Sequence, residues 1–179
     1  MDKLVRYLLG LGSNLGDRLH YLQSAVAALG ARQVTVLRAS SVYETSPVGA
    51  PEAQPPYLNA VIECVSFAEP PELLATLSAI EQEHGRTRTV PNAARTLDID
   101  LLLAEQFVCS SPGLTIPHPR LHERLFVLAP LRELVPELLH PVLHQTIEAL
   151  YHACRAASRE CVRLFAPPFT LWPPPVLTP

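Results

Sequence analysis

Lysine is all but missing from this 179-residue chain: Lys3 stands alone beside thirteen arginines. Chemistry that needs an internal lysine is thereby excluded, whether a P-loop cradle, a kinase strand lysine or a Schiff base, and phosphate contacts fall to arginine. Aspartate is nearly as scarce. It occurs at positions 2, 17, 98 and 100, so half of the supply sits in one Asp-x-Asp. A basic excess is also absent: 14 Lys and Arg against 17 Asp and Glu leave a formal charge of −3, which argues against a general binder of nucleic acid or anionic membrane. No apolar run approaches the ~18 residues of a membrane span, and the short run Tyr7 to Leu11 meets Asn14, Asp17 and Arg18 too soon for a secretory leader. Cys64, Cys109, Cys154 and Cys161 lack Cys-x-x-Cys spacing, unlike a zinc site or a disulfide framework, and read as reduced core residues. A cytoplasmic protein is expected. At 48% hydrophobic and 17% charged residues the chain has enough apolar surface for one core.

The apolar run 4–11 reads as a buried strand, turning at Gly12-Ser13-Asn14. Leu19, Leu22, Val26 and Leu29 recur at helical spacing, with Asp17 near the positive end of the helix dipole and Gly30 placed to stop it. Residues 33–43 suggest a second strand. Five prolines and glycines between Thr45 and Pro56 demand a long loop. Residues 57–66 alternate as a strand, with Leu58, Ala60, Ile62 and Cys64 on one face. Pro70 and Pro71 open a helix carrying Leu73, Leu74, Leu77 and Ile80, stopped by Gly85, with Glu81 at its polar end. A strand over 96–104 completes the order βαββαβ, an α+β, ferredoxin-like antiparallel sheet with both helices on one face. Additional C-terminal helices over 121–135 and 142–154 would cover the other face, followed by a last strand at 161–165. We read residues 1–166 as one domain and 167–179, with six prolines, as an extended tail.

The sharpest chemical signal is Arg95-Thr96-Leu97-Asp98-Ile99-Asp100-Leu101-Leu102. Strand alternation puts Asp98 and Asp100 on one face and Leu97, Ile99, Leu101 and Leu103 on the other. Two carboxylates so close repel unless a cation lies between them, and such a pair with open positions suits Mg²⁺ bound also to phosphates; a solvated strand edge is the alternative. Arg86, Arg88, Arg95, Arg120 and Arg124 flank the pair. Arginine forks around a carboxylate-held metal suit phosphoryl-type transfer, although each arginine alone is more often a solvated surface residue. His118, between Pro117 and Pro119, suits a hydrogen-bond donor to a phosphate, a group that positions a base, or a structural histidine. Gly10 and Gly12 lack the third glycine of a dinucleotide fingerprint and read better as a close backbone approach. Tyr57 and Phe126 suit either the core or a sandwich around a flat ring.

From Tyr7 to Leu138 the chain resembles the 6-hydroxymethyl-7,8-dihydropterin pyrophosphokinase family. The resemblance is carried by Gly10-Leu11-Gly12-Ser13-Asn14-Leu15-Gly16, Tyr43-Glu44-Thr45-Ser46-Pro47, Tyr57-Leu58-Asn59-Ala60, Gly85-Arg86-Thr87-Arg88, the aspartate strand and Ile116-Pro117-His118-Pro119-Arg120. It implies transfer of pyrophosphate from MgATP to the pterin hydroxymethyl group, with release of AMP. By the same resemblance Asp98 and Asp100 would hold two Mg²⁺ ions, and Arg86 and Arg95 would stabilise charge during transfer. Arg88, His118 and Arg124 would grip the triphosphate, with Glu81, Leu101 and Thr115 along the nucleotide. The pterin would stack between Tyr57 and Phe126 over Gly12, its polar edge met by Asn59 and by backbone at Thr45, Pro47 and Val48. The resemblance further implies a monomer whose partners are ATP and the pterin, with no nucleic acid or membrane. Ala94 stands where the family usually has proline, and Gly113 where some members have arginine. Those departures motivate the alternative of a catalytically weakened homologue that binds pterin or nucleotide. An RNA-recognition module shares the βαββαβ order but needs a basic sheet face with exposed aromatics.

Overall fold

The computed structural model describes residues 3–49, 53–85, 93–105 and 107–170. In chain order the elements are β1 (Val5–Ser13), α1 (Arg18–Gly30), β2 (Thr35–Ala39), β3 (Val42–Thr45), β4 (Tyr57–Ser66), α2 (Pro70–Glu83), β5 (Asp98–Ala104), β6 (Cys109–Ser111), β7 (Leu114–Ile116), α3 (Leu125–Leu134), α4 (Ile147–Ala157) and β8 (Val162–Ala166). The main sheet runs β5-β1-β4-β3-β8, with β2 also pairing β4. Its pairings are antiparallel throughout.

Alternation along β1 and β4 sorts side chains onto two faces. Leu9, Leu11, Leu58, Ala60, Ile62 and Cys64 meet Leu22, Val26 and Leu29 of α1 and Leu73, Leu77 and Ile80 of α2 in one buried cluster. Leu8 and Val61 point the other way, to a second cluster with Val127, Leu128 and Leu131 of α3 and Ile147 and Leu150 of α4. Each fully buried leucine contributes about 1.5–3 kcal/mol, so two apolar layers clasp the sheet. The helices start where local chemistry allows. Asp17 caps α1, its carboxylate accepting the His20 N–H at 3.1 Å. Pro70 opens α2, where Glu72 accepts the Glu69 N–H at 3.1 Å. Thr146 caps α4 through the Ala149 N–H.

Several expectations need correction. The single strand over 33–43 is two strands, because Ser40 interrupts the ladder. Its Oγ replaces a backbone acceptor for the Val61 N–H at 2.9 Å, while the Ser41 N–H donates to Glu133 at 2.6 Å. Alternation along β5 holds only to Leu101. A bulge against Leu8 and Leu9 turns both Leu102 and Leu103 into the second cluster. Glu81 is not a polar helix end but is buried, its carboxylate accepting the Ile99 N–H at 2.7 Å. Cys64 is buried, but Cys161 is exposed beside the edge strand β8; all four cysteines are free thiols. The β6–β7 hairpin had no sequence signal strong enough to expect it. Among the described residues no helix is long and apolar enough to cross a membrane.

Candidate active site

A cleft opens where β1, β4 and β5 pass under the start of α3. In the ladder Gly12 pairs with Asn59 on one side and Asp98 on the other, and Gly10 pairs with Val61 and Asp100. The two glycines therefore form a low floor between an amide and two carboxylates. A Cβ at Gly12 would stand 3.1 Å from the Asn59 Oδ1, which is why a residue without a side chain is needed there. Thr45, Ser46, Pro47 and Val48 make one wall, Phe126 and Val127 the other. Tyr57, Gln54, Arg95, Arg120 and Arg124 complete the lining.

Arginines meet both carboxylates. Arg95 Nη1 lies 3.0 Å from Asp98 Oδ2, and Arg124 Nη1 lies 3.8 Å from Asp100 Oδ2. Asn14 fixes the Arg95 backbone at both ends, its Oδ1 accepting the Arg95 N–H at 2.7 Å and its own N–H donating to the Arg95 carbonyl at 3.0 Å. The same Asn14 side chain donates to Gln54 Oε1 at 3.1 Å, so one residue ties the arginine to the proline-rich loop. Arg124 lies over the Phe126 ring at 5.6 Å. Burial pushes its pKa down while Asp100 opposes the shift. Asn59 Nδ2 donates to Thr45 Oγ1 at 2.7 Å, which leaves its Oδ1 above Gly12.

Every residue expected at the pterin, namely Gly12, Thr45, Pro47, Val48, Tyr57, Asn59 and Phe126, lines this cleft, as do Arg95, Asp98, Asp100 and Arg124. The remaining nucleotide candidates do not line it. Glu81 and Leu101 are buried, Thr115 pairs with Ser110 in the hairpin, and His118 is near enough to Arg124 to feel its charge but is not in the lining. Arg86 and Arg88 lie outside the described residues. Sequence reading missed the wall residue Ser46, the loop residue Gln54 and the tethering role of Asn14. Asn14 stood inside a quoted motif, but its partner is 81 residues away.

Asp98 and Asp100 retain side-chain exposures of 22% and 33%, and both line the cleft with Gly10 and Gly12. Two half-open carboxylates on one strand face fit a hard divalent cation that completes its shell with phosphate oxygens and water. Among the described residues no cluster of three His, Cys, Asp or Glu offers a closed cage.

His118 is held by its backbone, its N–H donating to the Leu102 carbonyl at 2.9 Å, and its Nδ1 accepts the Arg120 N–H at 3.2 Å. That bond selects the tautomer with hydrogen on Nε2. Burial first, then the Arg124 charge, pushes the ring pKa down to about 4. In the metal-free protein an NMR titration of the ring is therefore expected to give a midpoint near 4. Because the folded ring resists protonation, the unfolded chain binds more protons between the ordinary 6.5 and 4. This group therefore subtracts stability as pH falls through that window. A midpoint near 6.5 would mean that the ring is solvated.

The 7,8-dihydro-6-hydroxymethylpterin-pyrophosphokinase family matches residues 8–136. A 2-amino-4-hydroxy-6-hydroxymethyldihydropteridine pyrophosphokinase of Bacillus subtilis is 47% identical over 131 residues, covering 73% of this chain and 78% of that protein. Its counterpart in Synechocystis is 42% identical over 141 residues, covering 78% of this chain and 71% of that one. A crystal structure of an HPPK-DHPS in complex with substrates superposes with a TM-score of 0.70 at 14% identity, covering 86% of this chain. The chain spans 44% of that larger protein. The chain belongs to the 7,8-dihydro-6-hydroxymethylpterin-pyrophosphokinase family.

Proposed function

We infer that this chain transfers pyrophosphate from MgATP to the hydroxymethyl group of 6-hydroxymethyl-7,8-dihydropterin, giving AMP and the pterin diphosphate in folate biosynthesis. The observation that carries this reading is the convergence, in one cleft, of an aromatic-walled slot with the Asp98–Asp100 pair and its arginines. In the transfer, the pterin hydroxyl oxygen bonds to the β-phosphorus as the bond from that phosphorus to the bridging oxygen of AMP breaks, AMP leaves with that oxygen, and the hydroxyl proton passes to solvent.

Each residue has a part in that reaction. Tyr57 and Phe126 sandwich the flat ring, Asn59 and the backbone at Thr45, Pro47 and Val48 meet its polar edge, and Gly12 lets the ring lie close to the sheet. Asp98 and Asp100 hold two Mg²⁺ ions, which neutralise the polyphosphate and polarise the reacting oxygens when bound. Arg95, and by family resemblance Arg86, stabilise the charge that develops as the bond breaks, while Arg124, and by the same resemblance Arg88 and His118, grip the triphosphate. Glu81 and Leu101 act by shaping the backbone of β5 beneath the nucleotide, and Thr115 by supporting it from the hairpin. With no strong base in the assignment, rate comes mainly from holding the two substrates together.

The strand order β5-β1-β4, with β2 and β3 on the far side of β4, supports a ferredoxin-like core whose second strand is broken. Residues 1–166 form the catalytic domain and 167–179 an appendage, and the enzyme acts as a cytoplasmic monomer. An RNA-recognition module is disfavoured because α3 and α4 cover the sheet face it would expose.

Purified protein with ATP, Mg²⁺ and the pterin is expected to release AMP only when all three are present, read by chromatography. Release of ADP would mean ordinary phosphoryl transfer. A folded protein giving no product would favour the weakened, ligand-binding homologue.

A further inference from the structure

The geometry points to Glu160 as a positioning residue for the pterin side of the cleft, at the head of a four-residue clamp, Glu160 to Arg163, that lies beyond the family-matched stretch. This inference rests on the reading of the cleft as the pterin site.

Helix α3 begins at Arg124 without a side-chain cap of its own, so the first N–H groups need partners from elsewhere. Glu160 supplies them. Its Oε1 accepts the Leu125 N–H at 3.4 Å and its Oε2 the Phe126 N–H at 3.2 Å, a negative charge at the positive end of the helix dipole. Phe126 depends on that hold more than most helical residues, because Pro130 inside α3 removes the donor that would bond the Phe126 carbonyl. Glu160 is itself fixed, its N–H donating to Ser158 Oγ at 3.0 Å.

The next residues reach the opposite wall. The Cys161 carbonyl accepts the Ser46 N–H at 3.1 Å, and the Cys161 N–H donates to Ser46 Oγ at 3.2 Å. Val162 pairs with Thr45 in the sheet, and Arg163 Nε donates to the buried Glu44 at 2.9 Å. Arg18 binds the other Glu44 oxygen at 3.0 Å and also donates to the Pro56 carbonyl, next to Tyr57, at 2.7 Å. Four consecutive residues thus join the Phe126 wall to the Ser46 wall and, through Glu44, to the approach of Tyr57. None of the four lines the cleft, so they act by setting the slot width.

The test is a calorimetric cycle with the pterin substrate, in the presence of a non-hydrolysable ATP analogue, on wild type, Glu160→Ala, Phe126→Ala and the double variant. Glu160→Ala is expected to raise the pterin Kd about five- to tenfold, the scale of a lost helix cap, and to leave the Kd of the ATP analogue within about twofold. Glu160→Gln, which keeps one acceptor oxygen, falls between wild type and alanine and serves as the readout should the alanine variant fold poorly. In the Phe126→Ala background, loss of Glu160 adds nothing, because the group it positions is gone. Unchanged pterin affinity in both Glu160 variants, equal losses for both ligands, or full additivity with Phe126→Ala would overturn the clamp. A folded wild type that does not bind the pterin would overturn the cleft assignment, and the clamp with it.

Discussion

Asp98→Ala and Asp100→Ala are each expected to lower AMP formation by about three orders of magnitude while leaving the thermal transition close to that of wild type. The separation of the two effects follows from where the side chains sit. Both carboxylates face the cleft, while the adjacent Leu97, Ile99 and Leu101 pack into the core on the opposite face, so shortening the aspartates removes no apolar core side chain. The ion pairs they make with Arg95 and Arg124 are partly exposed, and such pairs contribute about 1 kcal/mol or less. What alanine removes is half of the anionic site for a divalent cation, in a cleft where arginines already supply the other positive charges. Without that site the polyphosphate meets the guanidinium groups with its charge only partly neutralised and its orientation unset. AMP release measured across a Mg²⁺ titration, beside a melting curve, reads both quantities. Near-wild-type turnover in either variant would remove that aspartate from the metal site.

The same residues show what a sequence makes legible and what it hides. Strand β4 was readable to the residue because Leu58, Ala60, Ile62 and Cys64 recur at every second position between two clusters of prolines. The Asp-x-Asp pair was readable because strand geometry leaves two positions apart no choice of face. Arg95 is different. Its place beside Asp98 depends on Asn14 holding its backbone across 81 residues of chain, and no local pattern encodes that. The break at Ser40 depends equally on a distant group, because the serine hydroxyl competes with the backbone only once Val61 is alongside. Glu81 misled for the opposite reason. A glutamate near the end of an amphipathic helix ordinarily faces water, and the Ile99 N–H of a strand distant in sequence helps make its burial favourable. In the candidate site, the residues expected at the pterin line the slot because their motifs encode the floor and walls together, whereas Glu81, Leu101, Thr115 and His118, expected along the nucleotide, do not line it. Ser46 stood in the Tyr43-Glu44-Thr45-Ser46-Pro47 motif without a role, and Gln54 escaped notice, because loop positions carry no periodicity.

Gly12→Val is expected to weaken pterin binding by at least about a hundredfold, close to 3 kcal/mol, while the chain still folds, with a thermal transition no higher than that of wild type because crowding of the buried Asn59 offsets the gain in strand propensity. The two halves of that expectation come from different physics. Within a strand, valine is favoured over glycine, both by its fit to the pleated surface and by the smaller conformational freedom the unfolded chain then has to lose. On the cleft side there is no room. The Cβ alone would stand 3.1 Å from Asn59 Oδ1, 3.8 Å from the Asp98 Cβ and 3.9 Å from Tyr57 Cδ1, and the two methyl groups of valine extend beyond it. Asn59 cannot swing aside without giving up its 2.7 Å bond to Thr45 Oγ1, and Tyr57 forms one face of the proposed ring sandwich. The valine therefore occupies the volume that the pterin needs. Calorimetry with the pterin and separately with MgATP, alongside thermal unfolding, distinguishes this from general damage. A pterin affinity within a few-fold of wild type would mean that the ring does not lie over Gly12, whereas an unfolded variant would mean that the strand depends on glycine at that position for its own geometry.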